Sequence, residues 1–219
     1  MTNVDLISQF DMLPYFTLTG VKQLAGRGED SNAVLRTLLA RWSKAGHIIQ
    51  LKRGVYMSRR FFELHRADRD FAPAVSAIIF PPSYVSLEYV LQRSGVLAET
   101  TYTISAVTDR NTRRVENALG SFVYHHIQPP LYTGFQFFDY YGISFAVASP
   151  AKALFDYLYL RPLARPFRKN SIDLAEDLRM NLADFSSASR QEFVQYVTSS
   201  RSEKMSAILN NFRSHIWQN

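Results

Sequence analysis

The chain has 219 residues, 47% hydrophobic and 14% aromatic, with 25 Lys and Arg against 19 Asp and Glu for a formal net charge of +6, which suits one large globular domain or two modest ones. It contains no cysteine, which excludes disulfides, thiolate nucleophiles and cysteine zinc sites and suits a reducing compartment. No apolar run reaches the roughly 18 to 20 residues that span a bilayer, and the opening MTNVDLISQF lacks the basic start of a secretory signal, so a cytoplasmic protein with no membrane partner is expected.

The charge is unevenly spread. Residues 1–66 carry ten Lys or Arg against five Asp or Glu, and the remainder fifteen against fourteen, so nearly all of the excess sits on the first third. A basic excess localised on one small unit is the footprint of a phosphate-binding surface. Within that third, Val4, Leu6, Ile7, Phe10 and Leu13 mark a short amphipathic helix closed by Pro14. A threonine-capped second helix follows over Phe16 to Ala25, with Val21, Leu24 and Ala25 inward, and Gly26 to Asp30 forms a polar connection. The third helix is the most sharply defined. Leu35, Leu38, Leu39 and Trp42 recur on one stripe with Val34 at its margin, Ser31 or Asn32 can cap the start, and Gly46 ends it. Its outer face pairs small residues with Arg36, Thr37, Arg41 and Lys44, a composition suited to a major groove. His47–Leu51 and Val55–Met57 then read as two strands joined by Lys52, Arg53 and Gly54, placing two cations at the tip of a hairpin. Helix, helix, helix, hairpin is the order of a winged helix-turn-helix over residues 1–66.

Phe61 to Asp70 is charged and reads as a linker or connecting helix into a mixed α/β second domain over residues 67–219. There, Pro81-Pro82 precedes a helix expected over Tyr84 to Gln92 with Ser83 as its cap. Period-two runs at Tyr102–Thr108, Arg113–Asn117, Ser121–Ile127 and Ile143–Ala148 predict strands, with a turn from Asn117 to Gly120. Ser149 caps a helix with Pro150 at its first position. From about residue 170 the tail is helical, with segments at Ile172–Leu182, Arg190–Val197 and Glu203–Trp217; Ile208, Leu209, Phe212 and Ile216 form a stripe that packs on its own domain or pairs two chains. The fold class is therefore α+β.

Catalytic chemistry finds little support. His125 and His126 are consecutive in a strand and point to opposite faces, so they cannot chelate one metal, and a site built on one of them with Asp109 or Asp139 has no ligand spacing behind it. There is no phosphate-cradling glycine loop, no nucleophile elbow and no paired-histidine zinc helix, so neither an enzyme, a metal nor a cofactor is expected. The one cationic cluster of the second domain is Arg110, Arg113 and Arg114, which reads either as a charged strand edge or as a patch for RNA, an acidic protein surface or flanking DNA. The aromatic density from Phe122 to Tyr159 suits a strongly aromatic core or a partner surface.

The succession LTGVKQLAG, HIIQLKRGVYM, YVSLEYVLQRSGVL, TYTISAVTDRNTRRVENALGSFVYHHIQ and SPAKALFDYLYL, covering roughly residues 10 to 160, resembles the AbiEi-type antitoxin family, transcriptional regulators of type IV toxin-antitoxin viral defence systems. The resemblance implies a winged helix that binds the operon's own promoter and its repeats, and an antitoxin domain that counteracts a toxin of nucleotidyltransferase fold, in most relatives without a tight complex. Double-stranded DNA is then the expected partner, with the cognate toxin as a second and a homodimer on DNA as an open arrangement. Thr19 and Lys22 would touch phosphates; Asn32, Arg36, Thr37, Arg41 and Lys44 would enter the major groove; Lys52 and Arg53 would lie on the wing. The alternative is a protein- or RNA-interaction module whose aromatic second domain grips its partner without sequence-specific DNA binding. The tail beyond Arg161 carries no motif of the family.

Overall fold

The computed structural model describes residues 3–24, 32–99, 101–162, 173–183 and 185–217, with side chains from residue 6 onward. Its elements and their order make an α+β protein.

The amino-terminal part runs α1 (Asn3–Ser8), β1 (Phe16–Thr17), α2 (Leu18–Leu24), α3 (Asn32–Lys44), β2 (Ile48–Lys52) and β3 (Val55–Ser58). The hairpin turns at Arg53 and Gly54, the glycine holding a φ of +78° that a side chain would resist. β1 joins the hairpin in an antiparallel sheet of order β1-β3-β2, a pairing that the short Phe16–Thr17 segment did not announce by pattern. Leu35, Leu39 and Trp42 of α3 bury against Leu6, Phe10, Phe16, Val21 and Ile48, while Leu38 is half-buried and Val34 faces outward. Thr17 Oγ1 accepts from the Gly20 amide at 3.2 Å and so caps α2. Two expected inward residues face out instead. Leu24 ends α2 one turn beyond Val21, at the rim of this small core, and Leu13 lies in the turns that follow α1, which stops at Ser8 rather than reaching Pro14. Ala25, the Gly26 to Asp30 connection and Ser31 lie outside the described residues; Asn32 is the first residue of α3.

Next come α4 (Arg59–His65), capped by Ser58 Oγ accepting from Phe61 N at 3.0 Å, and α5 (Phe71–Ile79). A six-stranded mixed sheet follows, in the order β6-β7-β5-β4-β9-β8. Its strands are β4 (Tyr84–Val85), β5 (Ile104–Thr108), β6 (Arg113–Asn117), β7 (Gly120–His126), β8 (Phe135–Tyr140) and β9 (Ile143–Ala148), with α6 (Leu87–Arg93) after β4, a single 3-10 turn at Pro129–Leu131 and α7 (Pro150–Leu160) after β9. The helix expected from Tyr84 begins later. Tyr84 and Val85 are central-strand residues, paired antiparallel with β5 and parallel with β9, and these pairings override the helical spacing that Leu87, Val90 and Leu91 alone carry. The helix at Pro150 has the expected start, with Ser149 Oγ accepting from Lys152 N at 3.0 Å.

Alternation along the strands divides the sheet into two faces. Ala106, Phe122, Tyr124, Ile143 and Phe145 pack on α5, and the same cluster takes in Ile49, Leu51 and Met57 of the hairpin and Phe61 of α4, so apolar packing runs without a break across residue 66. The other face, with Tyr84, Val107, Ala146 and Ala148, is covered by α6 and α7. Beyond them lie α8 (Leu174–Asp177), α9 (Ser187–Ser200) and α10 (Glu203–His215). Ile208, Leu209 and Phe212 of α10 bury in that same core, so the tail's stripe packs on its own body. Of the segment expected over Ile172–Leu182, Ile172 lies outside the described residues and only α8 is helical.

A polar knot locks this layer. Lys152 and Asp156 of α7 are completely buried, with Nζ donating to Asp156 Oδ1 at 2.6 Å and to the Leu131 carbonyl at 2.8 Å. Asp156 Oδ2 accepts from the Tyr84 hydroxyl at 3.0 Å and from Ser86 Oγ at 2.8 Å. Burial pushes the carboxyl up and the ammonium down, and their mutual attraction opposes both shifts. No helix among the described residues is long and apolar enough to cross a membrane.

Candidate nucleic-acid interface

With Leu35, Leu39 and Trp42 turned into the core, the spacing of a helix leaves Asn32, Arg36, Thr37, Arg41 and Lys44 exposed on the outer side of α3. Two of these cations, Arg41 and Lys44, fall in the last turn, where the helix dipole favours positive charge. The Thr37 hydroxyl donates to the Ala33 carbonyl at 3.0 Å, so its proton is committed and only its lone pairs face outward. On α2, Thr19 is exposed and Lys22 is half-buried in the last turn.

The hairpin departs from the expected pair of cations at its tip. Only Arg53 is there. Lys52 is the last residue of β2, set against Val55 across an irregularity in the register between Gln50 and Lys52, and it is half-buried. Burial first, and the neighbouring Arg113 guanidinium second, hold its ammonium below the usual lysine range. That neighbour belongs to the far sheet. The Asn117 side-chain amide donates to the Leu51 carbonyl at 3.0 Å, tying the end of β6 to the hairpin.

Of the arginine cluster of the second part, strand alternation sends Arg113 and Arg114 to opposite faces, while Arg110 and Arg113 line one recess. Arg113 faces the α5 side, its guanidinium over the Phe80 ring at 5.4 Å, and beside it a shallow recess is lined by Arg110, Asn111 and Thr112. Arg114 points the other way and is paired with Glu116 at 2.8 Å. Arg110 is exposed in the turn before β6, and its carbonyl lies 3.0 Å from His126 Nδ1. The juxtaposition of Lys52 with Arg113 is the feature that local sequence reading missed; the two are far apart in the chain, and no pattern around either announces the other.

The histidines separate as strand geometry requires. His126 is exposed, whereas His125 lines a polar cleft of about 700 Å³ with Glu88, Tyr157 and Arg161. Burial pushes the His125 imidazole below its usual range, and Glu88 opposes this. Among the described residues no three His, Asp or Glu side chains gather as a metal-binding group. Neither a scan against protein-family models nor a search of curated proteins finds a match for this chain.

Proposed function

We propose that the protein is a DNA-binding transcriptional autorepressor and the antitoxin of a toxin-antitoxin operon, counteracting a nucleotidyltransferase-like toxin. The observation that carries the DNA half of this reading is the outer face of α3, where Arg36, Thr37, Arg41 and Lys44 stand exposed beside a hairpin tipped by Arg53. The order α1, β1, α2, α3, hairpin, with β1 closing a three-stranded sheet, supports reading residues 1–66 as a winged helix-turn-helix. In this reading α3 enters the major groove, Arg53 tracks a phosphate or the adjacent minor groove, and Thr19 and Lys22 position the duplex. Asn32, at the start of α3, faces the same side. Lys52 and Arg113 together form a second cationic contact behind the wing. The antitoxin half rests on the family resemblance.

Fluorescence anisotropy with DNA from directly upstream of the protein's own gene, against scrambled DNA at several salt concentrations, tests the first half. Sequence-selective binding with a steep salt slope, lost in Arg36→Ala/Arg53→Ala, is expected. Equal affinity for both duplexes refutes it. Growth of cells expressing the neighbouring gene, with and without this protein, tests the second half; absence of rescue refutes it.

A further inference from the structure

A largely apolar cleft of about 490 Å³ opens at the carboxyl ends of the parallel strands β4 and β9, bordered by the start of α5 and by α6. Register sets its floor: Phe138 pairs with Phe145 and Gln136 with Val147, so these side chains share one face of the sheet. The Phe138 and Phe145 rings stack at 5.7 Å between centroids. Pro73 of α5 and Tyr89 and Val90 of α6 form the walls. These wall residues and Phe145 are buried, whereas Phe138 is 46% exposed and lines the open side. The volume falls in the range of about 300–1,000 Å³ usual for small-molecule sites, and the carboxyl ends of parallel strands are where open α/β sheets hold their ligands.

The charged groups of the cleft converge on one end. They are Arg69, Asp70 and Arg93, and both arginines are exposed. Arg93 is held in place: its guanidinium lies over the Tyr89 ring at 5.2 Å and donates to the Tyr89 hydroxyl at 2.5 Å, which engages one of its five N–H groups. Burial pushes the Tyr89 hydroxyl up, Arg93 opposes this, Asp70 adds to it and Arg69 opposes it again, so all three charges act at the Tyr89 end. Among the described residues Arg59, Arg60, Arg114 and Arg179 have carboxylate partners, whereas neither Arg69 nor Arg93 is in an ion pair. Two guanidiniums against one carboxylate leave a single positive charge, and the rest of the lining is uncharged. That balance suits a monoanion rather than a phosphate dianion or a cation, and the guanidinium fork matches a carboxylate. The rings of Tyr89, Phe138 and Phe145 favour an aromatic body behind that carboxylate.

We propose that this cleft binds a small aromatic monocarboxylate, its carboxylate held by Arg69 and Arg93 and its ring system set among Tyr89, Phe138 and Phe145. The inference is independent of the DNA reading. Titration of the full chain, followed in its valine methyl NMR spectrum, tests it with 2-naphthoate, the neutral 2-naphthamide and acetate, which lacks the aromatic body. 2-Naphthoate should move the Val90 and Val147 methyl signals with a dissociation constant below about 1 mM, the amide should bind about tenfold more weakly, and acetate more weakly still. Arg69→Gln/Arg93→Gln should weaken 2-naphthoate about tenfold and leave the amide unchanged, a split that a general loss of folding would not produce. Phe138→Ala, at a surface position, should weaken both naphthyl probes by about threefold. Failure of 2-naphthoate to saturate by about 5 mM overturns the inference. So does equal affinity for acid and amide, and so does 2-naphthoate binding that moves signals elsewhere or is untouched by these variants.

Discussion

Replacing Lys152 by methionine removes the only cation of the buried knot while roughly keeping its volume. The Asp156 carboxylate then retains only the Tyr84 and Ser86 hydroxyls on Oδ2, its Oδ1 loses a 2.6 Å partner, and the Leu131 carbonyl loses the ammonium that caps it. Stranding one member of a buried pair costs about 3–5 kcal/mol. With a urea slope of about 2 kcal/mol/M, the unfolding midpoint should fall by about 2 M. The deficit also has a definite pH dependence. Burial already pushes the folded carboxyl up, and loss of the ammonium removes the main opposing influence, whereas the unfolded carboxyl titrates near its ordinary value of about 3.9. The folded variant thus holds a proton that the unfolded chain has released. Its stability falls as pH rises above about 4, by up to about 1.4 kcal/mol per unit, until the raised folded value is passed. Urea titrations at several pH values should therefore show a deficit that is small near pH 4 and full at neutrality. Adding Asp156→Asn removes the stranded charge and keeps an acceptor for Tyr84 and Ser86, so the double variant should recover part of the loss. A loss below about 1 kcal/mol for Lys152→Met, or a double variant as weak as the sum of the singles, would refute the account.

Ser149→Ala removes both the cap of α7 and a 2.6 Å hydrogen bond to Glu192 Oε1, and chemical denaturation should show a loss of about 1–2 kcal/mol. Gly134→Ala places a methyl group 2.9 Å from Lys152 Cγ and closer still to the Tyr196 ring, whereas Gly54→Ala, at nearly the same positive φ, meets nothing within 4 Å. Thermal unfolding should therefore show the first far more destabilised, by more than about 2 kcal/mol, against about 1 kcal/mol for the second; equal losses would refute the packing argument. On DNA, Arg36→Ala should relax sequence preference, while Arg53→Ala should weaken all duplexes alike and reduce the salt slope by about one; identical behaviour on every sequence would refute that division of roles.

The sequence made legible whatever local chemistry decides. The stripe of α3, the hairpin around Gly54, the serine and proline that open α7, and strands β6 and β9 all follow from spacing, caps and alternation within a few residues of themselves. What escaped was decided elsewhere in the chain. Tyr84 and Val85 leave the helical pattern because β5 and β9 claim them from either side. α5, FAPAVSAII, is apolar nearly all round because it lies between the hairpin and the sheet, so it has no polar face to set a period. β8 shows the converse problem. Four aromatic residues among six read as core, yet the strand lies at an edge and Phe137 and Phe138 stay uncovered.

The same limit applies to the cationic residues. Alternation separated His125 from His126 at the level of sequence; applied to Arg113 and Arg114 it assigns one to the α5 face and the other to Glu116. Arg113 acts on Lys52 across the two parts of the chain, each held by an element with its own reasons to be there, the hairpin by its apolar contacts with α5 and β6 by the Asn117 hydrogen bond to Leu51. In the free protein, burial first and the Arg113 guanidinium second disfavour the charge of Lys52. A phosphate backbone relieves both penalties at once, and the counterions that the pair gathers are released when it binds. Under the proposed DNA reading that penalty is recovered only when a polyanion binds, and Lys52 and Arg113 would then supply a second point of contact with the duplex.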